Sequence, residues 1–231
     1  MGFLQPNYNK EGPGVRKDAP QKNEFARFFE IYARKFWNLI VANMLFVLTA
    51  VPVVTIGLAD VGLTRITRSF SREKFAFIQE DFVESIRKNW KQGLIVGIIN
   101  LLISVLLAWD IYYFYTGGDG IGNVLMLALT MLITLLFVFM RYYIPLLIIT
   151  FKLSVRQIYK DAFLLALAGM KRNLLISLVL VILYALAGFL CWLNLMVGLT
   201  VMLLAYMTVF PAFRSFLIQF TIFPVVKKHI I

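Results

Sequence analysis

Forty consecutive residues, 174–213, carry no charged side chain, and this stretch constrains the fold more than any other feature. A membrane-spanning helix needs about 20 apolar residues, so the stretch is long enough for two spans. Asn194 lies near its middle, and we expect a tight turn at residues 192–195. Hydrophobic residues make up 61% of the chain and charged residues 15%, whereas soluble domains are about 25% charged. This composition excludes a soluble globular enzyme, a disordered chain and a coiled coil.

The remaining uncharged stretches predict further membrane helices. A single span at residues 36–59 would place the seven Lys and Arg residues before Phe36 on the outer side, against the positive-inside rule. Pro52 and Gly57 offer a solution, because proline interrupts a helix and lets the chain return to the side it came from. We therefore predict an all-α, polytopic helical membrane protein with about six membrane segments, and five ordinary spans is the alternative. The six segments lie at about residues 36–51, 56–70, 94–114, 121–151, 174–193 and 195–218.

The predicted N-terminal hairpin is short. Its two arms, residues 36–51 and 56–70, would be about 24 and 22 Å long, whereas the hydrocarbon core is about 30 Å thick. We expect a partly re-entrant hairpin. Its break is expected to be buried against protein, because irregular backbone is tolerated at membrane depth only away from lipid.

The cations are distributed asymmetrically along the chain, whose net charge is +11. Seven cations precede Phe36, seven lie in residues 60–92 and five in residues 152–173, whereas the turns near Gly118 and Asn194 hold none. The positive-inside rule then predicts that both termini are cytoplasmic. The charge is thus interpreted as a marker of orientation and not as a nucleic-acid site. Residues 1–22 are expected to form a flexible cytoplasmic tail, and residues 23–231 a single membrane domain.

Three amphipathic segments, at residues 23–35, 80–91 and 154–171, precede predicted membrane hairpins. Such helices lie on anionic lipid or dock on a partner. The first two end in a common Arg-Lys-x-Trp sequence, at 34–37 and 87–90 in the chain. This weak internal repeat predicts units in which an amphipathic cytoplasmic helix leads into a membrane hairpin.

Three patterns follow one another between residues 43 and 92: Pro-x-x-Thr-x-Gly at 52–57, Asp-Phe at 81–82 and Asn-Trp-Lys-Gln at 89–92. Together they resemble the YesL-like family of bacterial membrane proteins, which contain a domain of unknown function numbered 624. The resemblance extends over roughly residues 23–220. It implies a protein of the plasma membrane of a Gram-positive bacterium, often encoded beside carbohydrate ABC importers and glycan-degrading enzymes. It implies no chemistry and no catalytic residues.

Two charged residues stand out within the predicted membrane domain. Asp60 follows the break at 52–57, and an ionisable group at membrane depth suggests a carboxylate that couples to an ion or a substrate. We favour the other interpretation of Asp60, which is an ion pair with Arg65 or Arg68, or a position near the interface. The candidate functional residues are Asp60, Pro52, Thr55, Gly57 and Arg141.

Arg141 follows twenty apolar residues that begin at Ile121, a length of about 30 Å as a helix. We expect its side chain to snorkel to the cytoplasmic surface, and a buried partner is the alternative.

No residue pattern typical of an enzyme occurs in the sequence. The phosphate-binding loop, the His-Glu-x-x-His motif and the Gly-x-Ser-x-Gly motif are absent, and His229 is the only histidine. We therefore predict a non-catalytic protein with no cofactor and no metal.

The family context and the amphipathic helices predict a membrane accessory protein that acts with the permease and ATPase subunits of a carbohydrate ABC importer. The candidate docking residues are Asp81, Phe82, Asn89, Trp90 and Asp161. The alternative is a stand-alone secondary transporter or channel-like protein for a small solute. The lipid bilayer and a second copy of the chain are the other expected partners, and nucleic acid is not expected.

Overall fold

The computed structural model describes residues 23–118 and 120–229, so the predicted tail at residues 1–22 lies outside the described residues. Within these ranges the chain is helical and contains no strand, as predicted. A 3-10 turn, Val53–Thr55, joins the second and third helices. The described α-helices are α1 (Glu24–Arg34), α2 (Phe36–Ala50), α3 (Ile56–Ser71), α4 (Ile78–Thr116), α5 (Ile121–Thr150), α6 (Val155–Ala168), α7 (Met170–Leu193), α8 (Leu195–Thr208) and α9 (Phe210–His229).

Three of the described helices, α4, α5 and α7, are long and apolar enough to cross a membrane. Two bent pairs, α1 with α2 and α8 with α9, bring the number to five if each pair is one span. The fold is therefore that of a polytopic α-helical membrane protein. The remaining predicted segment, residues 56–70, corresponds to α3, whose 16 residues make a helix of only about 24 Å.

Helices α2 and α3 form the predicted hairpin around Pro52. At the open end the Lys35 ammonium lies 5.3 Å from the centre of the Phe70 ring. At the closed end the Thr55 hydroxyl is within hydrogen-bond distance of the Thr49 carbonyl oxygen. The two helices are therefore antiparallel, and both open ends lie at the end of the molecule that holds Lys35 and Arg72. We call this end the basic end.

The expectation that the break is buried against protein is wrong. Val51, Val53 and Val54 are all exposed, and Val51 is 73% accessible. The Thr55 hydroxyl lies near the carbonyl oxygens of Thr49 and Pro52, 2.7 Å from the latter, which also accepts the Thr55 backbone N–H. The break thus satisfies the hydrogen-bonding groups of its own backbone. The Thr55 hydroxyl takes the place of the backbone N–H that a continuous helix would offer to a carbonyl oxygen.

Helices α3 and α4 cross with their backbones in contact. A Cβ atom added to Gly57 would lie 2.5 Å from the Gly97 Cα atom, and it would also overlap the Gly93 carbonyl oxygen. Gly93 and Gly97 are four residues apart and so face the same side of α4, which is the spacing that lets membrane helices approach closely. The crossing fixes the position of α3 along α4, which is the longest of the described helices.

The last predicted segment, residues 195–218, is interrupted at Val209, where α8 and α9 meet at an angle of 58°. The fully buried Asn43 side chain bridges this break. Its amide nitrogen donates to the carbonyl oxygens of Tyr206 and Met207, and its oxygen accepts from the backbone N–H of Ala212. These partners are the groups that a helix end leaves unsatisfied. Asn43 of α2 therefore makes interhelical hydrogen bonds to both sides of this break.

Helix α1 is held at the basic end by charge and by aromatic packing. Glu73, which adopts a left-handed φ of 55°, accepts hydrogen bonds from Arg27 and Arg34 at 2.7 and 3.0 Å. These two bonds hold the pKa of the Glu73 carboxyl below its usual value. Phe28 packs its ring against those of Phe216 and others on α9. Part of the aromatic face of α1 is therefore covered by protein.

Beyond this core, two antiparallel hairpins extend away from the basic end. One is formed by α4 and α5, and the other by α7 and α8 with Asn194 at the predicted turn. Large apolar side chains are exposed along both hairpins, as expected for surfaces that face lipid. The hairpins contact each other little, so a cleft lies between α5 and α7. An amphipathic helix precedes each hairpin, in the order that the internal repeat predicts.

We predict that Gly57→Ala destabilises the protein by about 1–3 kcal/mol, because the new methyl group overlaps the α4 backbone. Gly122→Ala is the matched control, since a Cβ atom at Gly122 meets open space and alanine favours a helix. The midpoint of thermal unfolding in detergent measures both variants. Equal midpoints for the two variants would contradict a tight crossing of α3 and α4.

Candidate functional site

A cavity of about 450 Å³ lies between α3, α4, α5, α7 and α9. Its charged lining comes from three helices, with Asp60 on α3, Arg141 on α5 and Arg214 on α9. Towards the tips of the two hairpins the walls are apolar and include Met131 and Leu135 of α5 and Val181 of α7. The cavity thus has a charged base and apolar walls.

Asp60 pairs with Arg214, whose guanidinium lies 3.2 Å from the carboxylate. The side chains of Asp60 and Arg214 are 18% and 32% accessible, so the pair is partly shielded from solvent. The expectation of an ion pair is therefore correct, but the expected partners, Arg65 and Arg68, are wrong. Arg65 pairs instead with Asp81 at 3.4 Å, and Arg68 donates a hydrogen bond to the Thr150 hydroxyl at 2.8 Å. Arg65 and Arg68 both lie one or more helical turns from Asp60, on the part of α3 nearer the basic end.

We expected the Arg141 side chain to snorkel to the cytoplasmic surface, and this expectation is wrong. Arg141 lines the cavity near Asp60 and Arg214. The alternative of a buried partner is not confirmed either, because Asp60 forms its ion pair with Arg214. Thr150 and Arg68 meet near the basic end, and Arg141 precedes Thr150 by nine residues of helix. Arg141 therefore lies about 13 Å from the basic end, at a rise of 1.5 Å per residue. Asp60 precedes Phe70 by ten residues and lies at a similar height.

Hydrogen bonds between helices hold the frame of the cavity. Tyr142 beside Arg141 shares a hydrogen bond of 2.8 Å with Ser177 of α7. Thr67 of α3 makes a bond of the same length to Ser215, the neighbour of Arg214 on α9. These bonds fix the faces that carry the charged side chains, because each joins two helices next to a charged position. The cavity is therefore preorganised.

The electrostatics of the cavity are unbalanced. Its described lining contains two arginines and one aspartate, which gives a net charge of +1. The Nε atom of Arg214 is buried without a hydrogen-bond partner. No hydrogen bond to the Arg141 guanidinium occurs among residues 23–118 and 120–229. Several donors of the two guanidinium groups are therefore free to bind an acceptor.

The other candidate residues near the break have local roles. Pro52 ends the first arm of the hairpin, Thr55 closes its backbone and Gly57 makes the contact with α4. Together they determine where α3 begins, and thus where Asp60 lies. Their contribution to the site is positional.

The candidate docking residues do not form one surface. Phe82 is only 1% accessible and packs on Gly62, so its predicted place on a docking face is wrong. Asp81 accepts the backbone N–H of Phe77 and thereby caps α4. Asn89 has non-helical backbone angles and marks a kink in α4. Trp90 is exposed beside this kink, with the Lys91 ammonium 5.5 Å from its ring centre.

Asp161 lies on α6, away from Trp90 in sequence, and is partly accessible. Helix α6 begins with a capping box, in which the Ser154 and Gln157 side chains each bond to the backbone of the other. Its exposed apolar face consists of Phe163, Leu164 and Leu167. Sequence reasoning singled out the aspartate on this helix and missed the apolar face, which its pattern of hydrophobic residues could have indicated.

No group of three or more His, Cys, Asp and Glu residues that could hold a metal occurs in the described part of the chain. The arginines and hydroxyl groups of the cavity are hydrogen-bond donors, which suit an anion. The arrangement can bind and orient a negatively charged group.

Residues 39–111 match the model of a family described as a protein of unknown function, DUF624. This match confirms the resemblance to the YesL-like family over that segment. The matched segment includes the Gly57 crossing and Asp60, whereas Arg141 and Arg214 lie outside it. No curated protein and no solved structure matches this chain.

We predict that Asp60→Asn and Arg214→Gln each destabilise the protein by about 1–3 kcal/mol, because each leaves a partly buried charge unpaired. The double variant should lose less than the sum of the two, with a coupling energy of about 1–2 kcal/mol. Thermal unfolding of the four proteins in detergent measures this coupling. Strictly additive losses would contradict a direct interaction between Asp60 and Arg214.

Proposed function

We propose that this protein is a non-catalytic accessory protein of the bacterial plasma membrane, with both termini in the cytoplasm, that associates with a carbohydrate ABC importer. It would stabilise or regulate the permease, in contact with the permease and its ATPase subunit. The family context motivates the choice of partner. The exposed apolar face of α6, formed by Phe163, Leu164 and Leu167, is the observation that carries the proposal.

Helix α6 presents this face rigidly. Its opposite side is buried in the core through Ile158, Ala162 and Leu165. The Tyr159 hydroxyl donates to the Asn100 side chain of α4 at 2.8 Å. A preorganised apolar face suits docking, because little conformational entropy is lost when a partner binds.

The charges around α6 also suit a membrane partner. Arg156 and Lys160 are exposed on the helix, beside the apolar face. Short basic helices with exposed apolar residues favour a position at a membrane surface, where the subunits of an importer meet. The lipid-facing sides of the two hairpins offer further area for lateral contact with a permease or a second copy of the chain.

Leu164→Glu should reduce the amount of permease recovered with this protein at least tenfold, because burial of a leucine side chain contributes about 1.5–3 kcal/mol. The measurement is purification from native membranes in mild detergent, followed by quantification of permease and ATPase subunits. Without substitution, we expect both subunits in stoichiometric amounts.

Phe75→Glu is the matched control, since Phe75 is also an exposed apolar residue but lies between α3 and α4. It introduces the same charge and should leave recovery unchanged. Recovery of the unsubstituted protein without importer subunits would contradict the proposal. An equal loss of permease recovery in both variants would show that α6 is not the docking face.

A stand-alone transporter of a small solute is the second candidate, and the charged cavity favours it. Asp60 lies one helical turn after the hairpin break, with two arginines on other helices around it. Transporters commonly bind solutes between helices in this manner.

In that case, the purified protein in liposomes should take up an organic anion such as glucuronate and exclude neutral glucose. Asp60→Asn should reduce the uptake rate at least tenfold, because it removes the carboxylate that couples binding to movement. Arg87→Gln, an exposed cation on α4, serves as the control. Absence of uptake, or uptake unchanged by Asp60→Asn, would count against a transport role.

A further inference from the structure

We propose that the cavity between α3, α4, α5, α7 and α9 binds an anionic amphiphile, whose phosphate or carboxylate group is held by Arg141 and Arg214. The apolar part of the ligand would lie in the cleft between α5 and α7. This inference concerns binding alone, and it is independent of importer association and of movement of the ligand across the membrane.

The unused donors of the two arginines are the first argument. Arg214 gives one interaction to Asp60 at 3.2 Å, and its buried Nε atom has no partner. Arg141 makes no hydrogen bond to any described residue, although it lies within range of both other charges. A guanidinium group has five donors, and the Arg214 Nε donor is costly to leave without a partner because it is buried. An oxyanion with two or three acceptor oxygens would satisfy them.

The charge balance is the second argument. Asp60 offers one negative charge to two arginines, so the cavity keeps a net charge of +1. In a partly shielded site an uncompensated cation attracts an anion more strongly than it would in bulk water, because less water screens the interaction. A single negative charge on the ligand would bring the site to neutrality.

The direction of the polarity is the third argument. The charged groups lie about 13–15 Å from the basic end, and the apolar lining extends from them towards the hairpin tips. Met131 precedes Arg141 by ten residues of helix, so the apolar wall of α5 is about 15 Å long. A ligand with its charged group towards the basic end and its apolar part away from it would fit this gradient.

The same gradient occurs in a lipid of the leaflet on the side of the basic end. The cavity also lies between two hairpins whose outer surfaces are apolar. Both an anionic phospholipid and a soluble organic acid with an apolar body have the required chemistry. The experiment therefore includes both sources.

The test measures ligand binding to the purified full-length protein in a neutral detergent. Dioleoyl phosphatidylglycerol is compared with dioleoyl phosphatidylcholine, which has the same chains and no net charge. Octanoate is compared with octanol. We expect one anion to raise the midpoint of thermal unfolding, because a ligand that binds only the folded state stabilises it. Its neutral counterpart should have no effect.

The substitutions act in opposite directions. Arg141→Gln should weaken binding of the active anion at least tenfold, because it removes a charge-assisted contact. Asp60→Asn should strengthen binding severalfold, since it raises the net charge of the cavity from +1 to +2 and frees Arg214. Arg87→Gln on α4 should leave the affinity unchanged. Asp60→Asn keeps the test decisive if Arg141→Gln fails to fold.

The outcomes separate the two sources. An effect of phosphatidylglycerol alone identifies a bilayer lipid, and an effect of octanoate alone identifies a soluble acid. If neither anion acts differently from its neutral counterpart, or if Asp60→Asn weakens binding, the proposal is overturned. The permease-recovery experiment uses other variants, so its outcome does not affect this one.

Discussion

The crossing of α3 over α4 is the contact on which the rest of the structure depends. Gly57 meets Gly93 and Gly97 with backbone against backbone, and no larger side chain fits between them. Asp60 follows Gly57 by three residues, so the crossing also sets the position of the carboxylate. Because α3 is too short to span a bilayer alone, its place must be fixed by such a contact with a longer helix. The charged cavity follows from this geometry.

Single residues in the sequence predicted the breaks and turns that depend only on their neighbours in the chain. Proline at position 52 predicted the hairpin, and Asn194 predicted the turn between α7 and α8, because each acts through its own neighbours in the chain. The Gly93-x-x-x-Gly97 spacing could also have been read from the sequence as a close helix contact. The break at Val209 was not expected, although Pro211 follows it and lacks the N–H that would bond to the Met207 carbonyl oxygen in a continuous helix.

The site was less predictable, because its members come together from distant parts of the chain. Asp60 and Arg214 are 154 positions apart, and no periodic pattern links them. The sequence offered Arg65 and Arg68 as nearer partners, but both lie further along α3, towards the basic end, and find Asp81 and Thr150. The prediction that Arg141 lies at the surface rests only on the number of apolar residues before it in one helix. Its surroundings in the structure depend on α3 and α9, which the length of a single helix does not reveal.

The bridge made by Asn43 has a consequence for how the membrane domain assembles. It joins α2, near the start of the described chain, to Ala212 at the start of α9, 169 positions later. Arg214 lies two residues after Ala212 on α9, so the docking that satisfies the Asn43 amide also sets where this arginine meets Asp60. One buried amide on α2 thus determines the register of α9, and with it the position of the second cation in the cavity.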